Sequence, residues 1–118
     1  MNNEQKNTYV KEQITKALLL LLETKNIDDI SISELTSAAE IGRVSFYRNY
    51  KNKEDILRQE ADRLLAQWGS IFQAMPSNEE YNSFFLSLFD FFQNNKSFFT
   101  TLYQSGLSHI IMDTIVAT

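Results

Sequence analysis

The chain is 118 residues long, enough for a real hydrophobic core, and it contains no cysteine, so a disulfide scaffold and thiolate chemistry are excluded. Its net charge of −4 is unevenly spread: residues 1–58 hold nine Lys/Arg against nine Asp/Glu, and residues 59–118 hold two against six. A basic footprint over the whole protein is absent, so any nucleic-acid contact has to come from a local patch.

The N-terminal stretch MNNEQKNTYVKEQ is polar and lacks the apolar region of a signal peptide. The longest apolar run, Ala17–Leu22, is far short of the ~18–20 residues that a membrane span needs. A cytoplasmic protein without membrane contact is expected. Glycine is scarce, Pro76 is the single proline, and alternating β patterns are missing. These features predict an all-α fold.

Val10, Ile14, Ala17, Leu18, Leu21 and Leu22 recur at helical spacing and predict a first helix from about Thr8 to Lys25. Leu19 and Leu20 fall off that stripe, so this helix is expected to pack on two sides. Residues 27–31 form a connector. Ser31-Ile-Ser-Glu34 has the S-x-x-E form of a capping box and opens a short second helix, with Leu35, Ala38 and Ala39 inward. Glu40-Ile41-Gly42 makes a turn, and a third short helix covers Arg43–Asn49. Asn52 with Asp55 caps a longer fourth helix through Ile56, Leu57, Leu64, Leu65, Trp68 and Phe72.

Pro76 marks the clearest internal boundary. Residues 77–80 form another candidate cap, opening a helix through Phe92 that Asn94 and Asn95 break. A further helix carries Phe98, Phe99, Leu102 and Tyr103, and Gly106 interrupts before the last, 107–116. The pattern stops at Ala117-Thr118 without a cap or polar tail, as expected of a fragment of a longer chain.

The chemistry concentrates in IGRVSFYRNYKNK, residues 41–53. Four cations, three aromatic residues and two asparagines run together there without one carboxylate. Charge acts within about a Debye length, ~8–10 Å, so a local patch suffices for phosphate contact. On a helix, Phe46 and Tyr50 share one face and, with Ile41, can pack inward. Val44, Ser45 and Arg48 lie opposite, with Arg43 and Tyr47 on one flank and Asn49 on the other.

That outward surface suits a DNA major groove. Arginine can bond guanine bidentately, asparagine can pair with adenine, and valine can meet a thymine methyl. Tyrosine and serine hydroxyls, Lys53 and the next helix's N-terminus suit phosphate oxygens. Short helix, tight turn, short helix is the helix-turn-helix arrangement. A solvated surface on a plain helix-bundle turn is the bland alternative.

The span from Ile14 to Leu57, and above all FYRNYKNKEDIL, resembles the N-terminal domain of the TetR family of transcriptional regulators. The resemblance implies a DNA-binding head over 1–51, with 52–118 forming the connecting helix and an incomplete start of a ligand-binding and dimerisation bundle. It implies a homodimeric repressor acting on a palindromic double-stranded DNA operator and answering an unknown small-molecule ligand. By position, Arg43, Val44, Ser45, Tyr47, Arg48 and Asn49 would face DNA; Ser31, Ser33, Tyr47 and Lys53 would supply phosphate or flanking contacts. Three departures stand out. Glu40 holds a place where glycine is usual, Gly42 replaces a common serine or threonine, and Val44 replaces a smaller residue. Glu40 has to take up the turn's backbone unless Gly42 absorbs it.

Eight of the nine phenylalanines follow residue 70. They are read either as a packed core with a partner interface or as a pocket for a flat or apolar ligand. Trp68, Phe72, Phe85, Phe89, Phe92, Phe99 and Tyr103 are the candidate lining. His109 has no second histidine beside it and reads as a satisfied or surface side chain, not a metal ligand. Asp28-Asp29 and Glu79-Glu80 sit where helix starts favour negative charge. No Ser/His/Asp constellation or phosphate-binding glycine loop occurs, so no catalytic, metal or cofactor site is expected. The competing readings are a helical protein-interaction module and a small-molecule carrier without specific DNA binding.

Overall fold

The computed structural model describes residues 2–73 and 81–117, leaving aside the side chains of Phe72, Tyr81 and Asn82. Pro76 and the candidate cap at 77–80 lie outside the described residues. The protein is all-α: α1 (Asn3–Leu22), a 3-10 turn (Ile27–Asp29), α2 (Ile32–Ala39), α3 (Arg43–Asn49), α4 (Lys53–Gln73), α5 (Tyr81–Asn94), α6 (Lys96–Gln104) and α7 (Ser108–Ala117). These residues divide into two compact units, Met1–Glu60 and Ala61–Thr118, so the first two turns of α4 fall within the first. Among the described residues, no helix is long and apolar enough to cross a membrane.

In the first unit, the head, α1 packs on α2 and α3, and α2 on α3. Ile14, Leu18, Ile30, Leu35, Phe46, Ile56 and Leu57 are fully buried and make the core. Helix α1 starts a turn and more before the expected Thr8. Asn2 accepts the Gln5 N–H at 2.8 Å and donates its own N–H to the Gln5 side chain at 3.0 Å, a reciprocal capping box. Apolar spacing cannot reveal polar opening turns; the N-x-x-Q signal could have. Leu20 is 57% exposed, so the expected second packed side of α1 is not closed over it.

Ser31 caps α2 by accepting the Glu34 N–H, but the return half of the expected capping box is missing. Glu34 reaches instead to the Lys25 ammonium, 2.6 Å away. On α2 the inward set is Leu35, Thr36 and Ala39, whereas Ala38 is exposed. The helix closes with Ile41 N–H on Thr36 O and Glu40 N–H on Ser37 O, a Schellman motif. Its left-handed position is Glu40, at φ 57 and ψ 39, while Gly42 is extended at φ −71 and ψ 153. Gly42 therefore absorbs none of the strain, and the non-glycine residue bears about 1 kcal/mol of it.

In the second unit, α5 packs on α6 and α6 on α7. Phe98, Leu102, Leu107 and Ile110 are buried. Helix α5 runs through Asn94, two residues past the expected Phe92, because the single break is at Asn95. Helix α6 also ends in a Schellman motif, here with Gly106 at φ 73: Leu107 N–H bonds to Leu102 O at 2.8 Å.

Candidate nucleic-acid interface

Helix α3 has the predicted bounds, and its inner face is the predicted one. Phe46 is fully buried and Tyr50 is 4% exposed, their ring centroids 5.7 Å apart. Burial pushes the Tyr50 hydroxyl up to about 12, helped by Glu60 and Asp55 and opposed by its hydrogen bond with Thr15. With the inner face locked, the other side of α3 faces solvent. Val44 is 72% exposed and Tyr47 54%, and Arg43 and Arg48 are exposed beside them. Among the described residues neither arginine has a carboxylate partner, so both guanidinium groups can meet an incoming anion. Lys51, which the sequence reading passed over, adds an exposed cation just after α3. Its place in the carboxylate-free window was the available signal.

The other predicted residues are placed differently. Ser45 and Asn49 are half-buried, and the Asn49 amide donates to the Ser45 carbonyl at 2.8 Å, folding back onto its own helix. A base contact would have to compete with that bond. Ser31 is exposed, its hydroxyl oxygen occupied by the Glu34 N–H. Ser33 is exposed and lines a shallow cleft at the α2–α3 turn with Ser37, Glu40, Gly42 and Arg43. Lys53 is half-buried, and its ammonium donates to Ile27 O at 2.7 Å and Ile30 O at 2.6 Å. Two of its three donors are thus spent inside the head. The α4 N-terminus, also read as a phosphate site, has its Asp55 N–H capped by Asn52 and carries Glu54 and Asp55 in its first turn, charges that repel an anion.

Residues 14–59 match the family described as bacterial regulatory proteins, tetR family. Over 105 residues the chain is 25% identical to an uncharacterized HTH-type transcriptional regulator of Haemophilus influenzae, a match covering 85% of this chain and 56% of that protein. The similarity to the tetR family is thus carried by the head, residues 14–59. The chain's fold is that of the crystal structure of Lin0861 from Listeria innocua, with a TM-score of 0.82 at 18% identity over 97% of this chain and 62% of that one. It spans less than two thirds of the length of either relative. Helix α3 and its exposed side lie within the matched span, residues 14–59.

The candidate ligand lining in the second unit, which lies beyond the matched residues, is not gathered in one place. Trp68 lies on a concavity of about 350 Å³ with Gln67, Ile71, Ser87, Asp90 and Phe91. Its indole N–H donates to Ser87 Oγ at 3.2 Å, and its ring meets Phe84 and Phe91 at 5.8 and 6.3 Å. Phe85, Phe89 and Phe92 line a separate open groove on α5 with Leu86 and Leu88. Phe99 meets Phe91 edge-on at 5.7 Å and Phe92 at a tilt at 4.9 Å, and Tyr103 is 76% exposed. The side chain of Phe72 lies outside the described residues. Among the described residues no cluster of His, Cys, Asp or Glu could hold a metal ion.

Proposed function

We propose that the chain is a sequence-specific DNA-binding transcriptional regulator that inserts α3 into the major groove. One observation carries the reading: Phe46 and Tyr50 lock one face of α3 into the core, leaving Arg43, Val44, Tyr47 and Arg48 as a continuous exposed face without carboxylates. Arg48 and Arg43 supply guanine and phosphate contacts, Val44 meets a thymine methyl, and Tyr47 bonds a phosphate. The finer reading is a cytoplasmic homodimeric repressor on a palindromic operator, with half-sites ~34–36 Å apart. Two linked heads gain through effective concentration what one short helix lacks. The Trp68 concavity favours a small-molecule effector, which would act by binding better to the arrangement that misplaces the heads.

Selection from random duplex DNA with this chain at near-physiological salt tests both levels. A two-fold symmetric enriched sequence supports operator recognition by a dimer, and a single short half-site supports the head acting alone. With that sequence in hand, Arg48→Ala should weaken specific binding by about 1–3 kcal/mol in an anisotropy titration with helicity unchanged. Equal binding by the variant would remove α3 from the interface.

A further inference from the structure

We propose that Gln59 is a positioning residue for the groove-reading helix and that, with Asp55 and Lys53, it turns the start of α4 into a shared cap for two carbonyl ends. The inference rests on the DNA-binding reading for its consequence, though not for its geometry. Helix α3 has only seven residues, too few to be stable alone, and its last carbonyls have no partner within the helix. Tyr50 N–H takes the Phe46 carbonyl at 2.9 Å. The Asn49 carbonyl, at the helix's very end, accepts from Gln59 Nε2 at 3.0 Å.

Gln59 is itself held. The same nitrogen donates to Asp55 Oδ2 at 3.1 Å, and that oxygen also accepts the Lys51 N–H at 3.0 Å. Asp55 is anchored in turn by its own N–H on Asn52 Oδ1 at 2.8 Å. One carboxylate and one amide thus tie together the end of α3, the link after it and the second turn of α4. One turn earlier Lys53 does the same for the 3-10 turn, placing its positive charge on the Ile27 and Ile30 carbonyls at the negative end of that turn.

These bonds supply what packing leaves open. The Phe46 and Tyr50 rings hold α3 against the core, but apolar contact is non-directional and tolerates small rotation and fraying of the last turn. A hydrogen bond from a restrained amide is directional and fixes that end. Arg48 sits in the turn that Gln59 secures. Without the bond it would be presented in a spread of directions, and base-specific contact would suffer more than phosphate attraction, which tolerates misalignment.

Gln59→Met keeps the length of the side chain and removes the donor; Gln59→Lys keeps an N–H donor at similar reach. Hydrogen exchange on the DNA-free protein comes first. In Gln59→Met the amides of residues 46–50 should exchange about tenfold faster while those of 32–39 are unchanged. The ratio of specific to non-specific DNA affinity should then fall about tenfold in Gln59→Met and hold in Gln59→Lys; the ratio cancels the added charge. Unchanged exchange at 46–50, or faster exchange over the whole head, overturns the positioning role. So does an unchanged ratio in Gln59→Met. Faster exchange confined to 46–50 in a protein whose wild type shows no sequence preference supports the cap and overturns the DNA reading instead.

Discussion

Phe46 and Phe89 are both phenylalanines on short amphipathic helices, yet one is fully buried and the other is 58% exposed. The head holds a single phenylalanine, and that ring fixes α3 against the core. The second unit is far richer in rings, and Phe85, Leu86, Phe89 and Phe92 stand 44–63% exposed along α5. Apolar content and core formation are therefore different quantities. The head is held by a set of fully buried apolar residues, mostly aliphatic, and by side chains that cap backbone carbonyls, whereas the second unit leaves much of its α5 ring surface uncovered by its described helices.

Paired truncations break that comparison most directly. Phe46→Ala should destabilise the head by about 3–5 kcal/mol, and Phe89→Ala should change stability by no more than about 0.5 kcal/mol, both read from chemical denaturation. A comparable loss in the two variants would mean that the α5 face is covered after all.

The next effect is confined to the head. Tyr50 ionises near 12 when folded against an ordinary value of 10, because burial penalises the phenolate. A raised value means that the neutral form is the one the fold favours, so its contribution is complete below pH 10 and is lost as pH rises towards about 12. The loss should approach about 2–3 kcal/mol, and Tyr50→Phe should flatten this alkaline limb in melts taken across that range. An alkaline limb unchanged in Tyr50→Phe would assign the titration elsewhere.

The smallest effect compares the two Schellman turns. Gly106 takes its left-handed position freely, and Glu40 takes the same conformation with a side chain. Glu40→Gly should raise the head's stability by about 0.5–1 kcal/mol after the added freedom of the unfolded chain is counted. A decrease would show that Glu40 makes a compensating contact worth more than the strain.

Local chemistry alone determined much of this protein. The all-α class, the bounds of α3, the Asn52 cap, the inward pair Phe46 and Tyr50 and the exposed arginines all follow from spacings of three to four residues, which one helix turn converts directly into neighbours. The TetR-like stretch was legible for the same reason: its residues are contiguous. Tertiary structure decided the rest. Lys53 lies 23 and 26 residues from the carbonyls that take its ammonium, and Gln59 lies 10 from the one it caps. Glu34 leaves its own helix start for Lys25, nine residues back. The ring set of the second unit is not gathered in one place. Sequence spacing specifies which face of its own helix a side chain occupies; which distant backbone group or neighbouring helix meets that face depends on how the helices pack, and that relation carries no period to read.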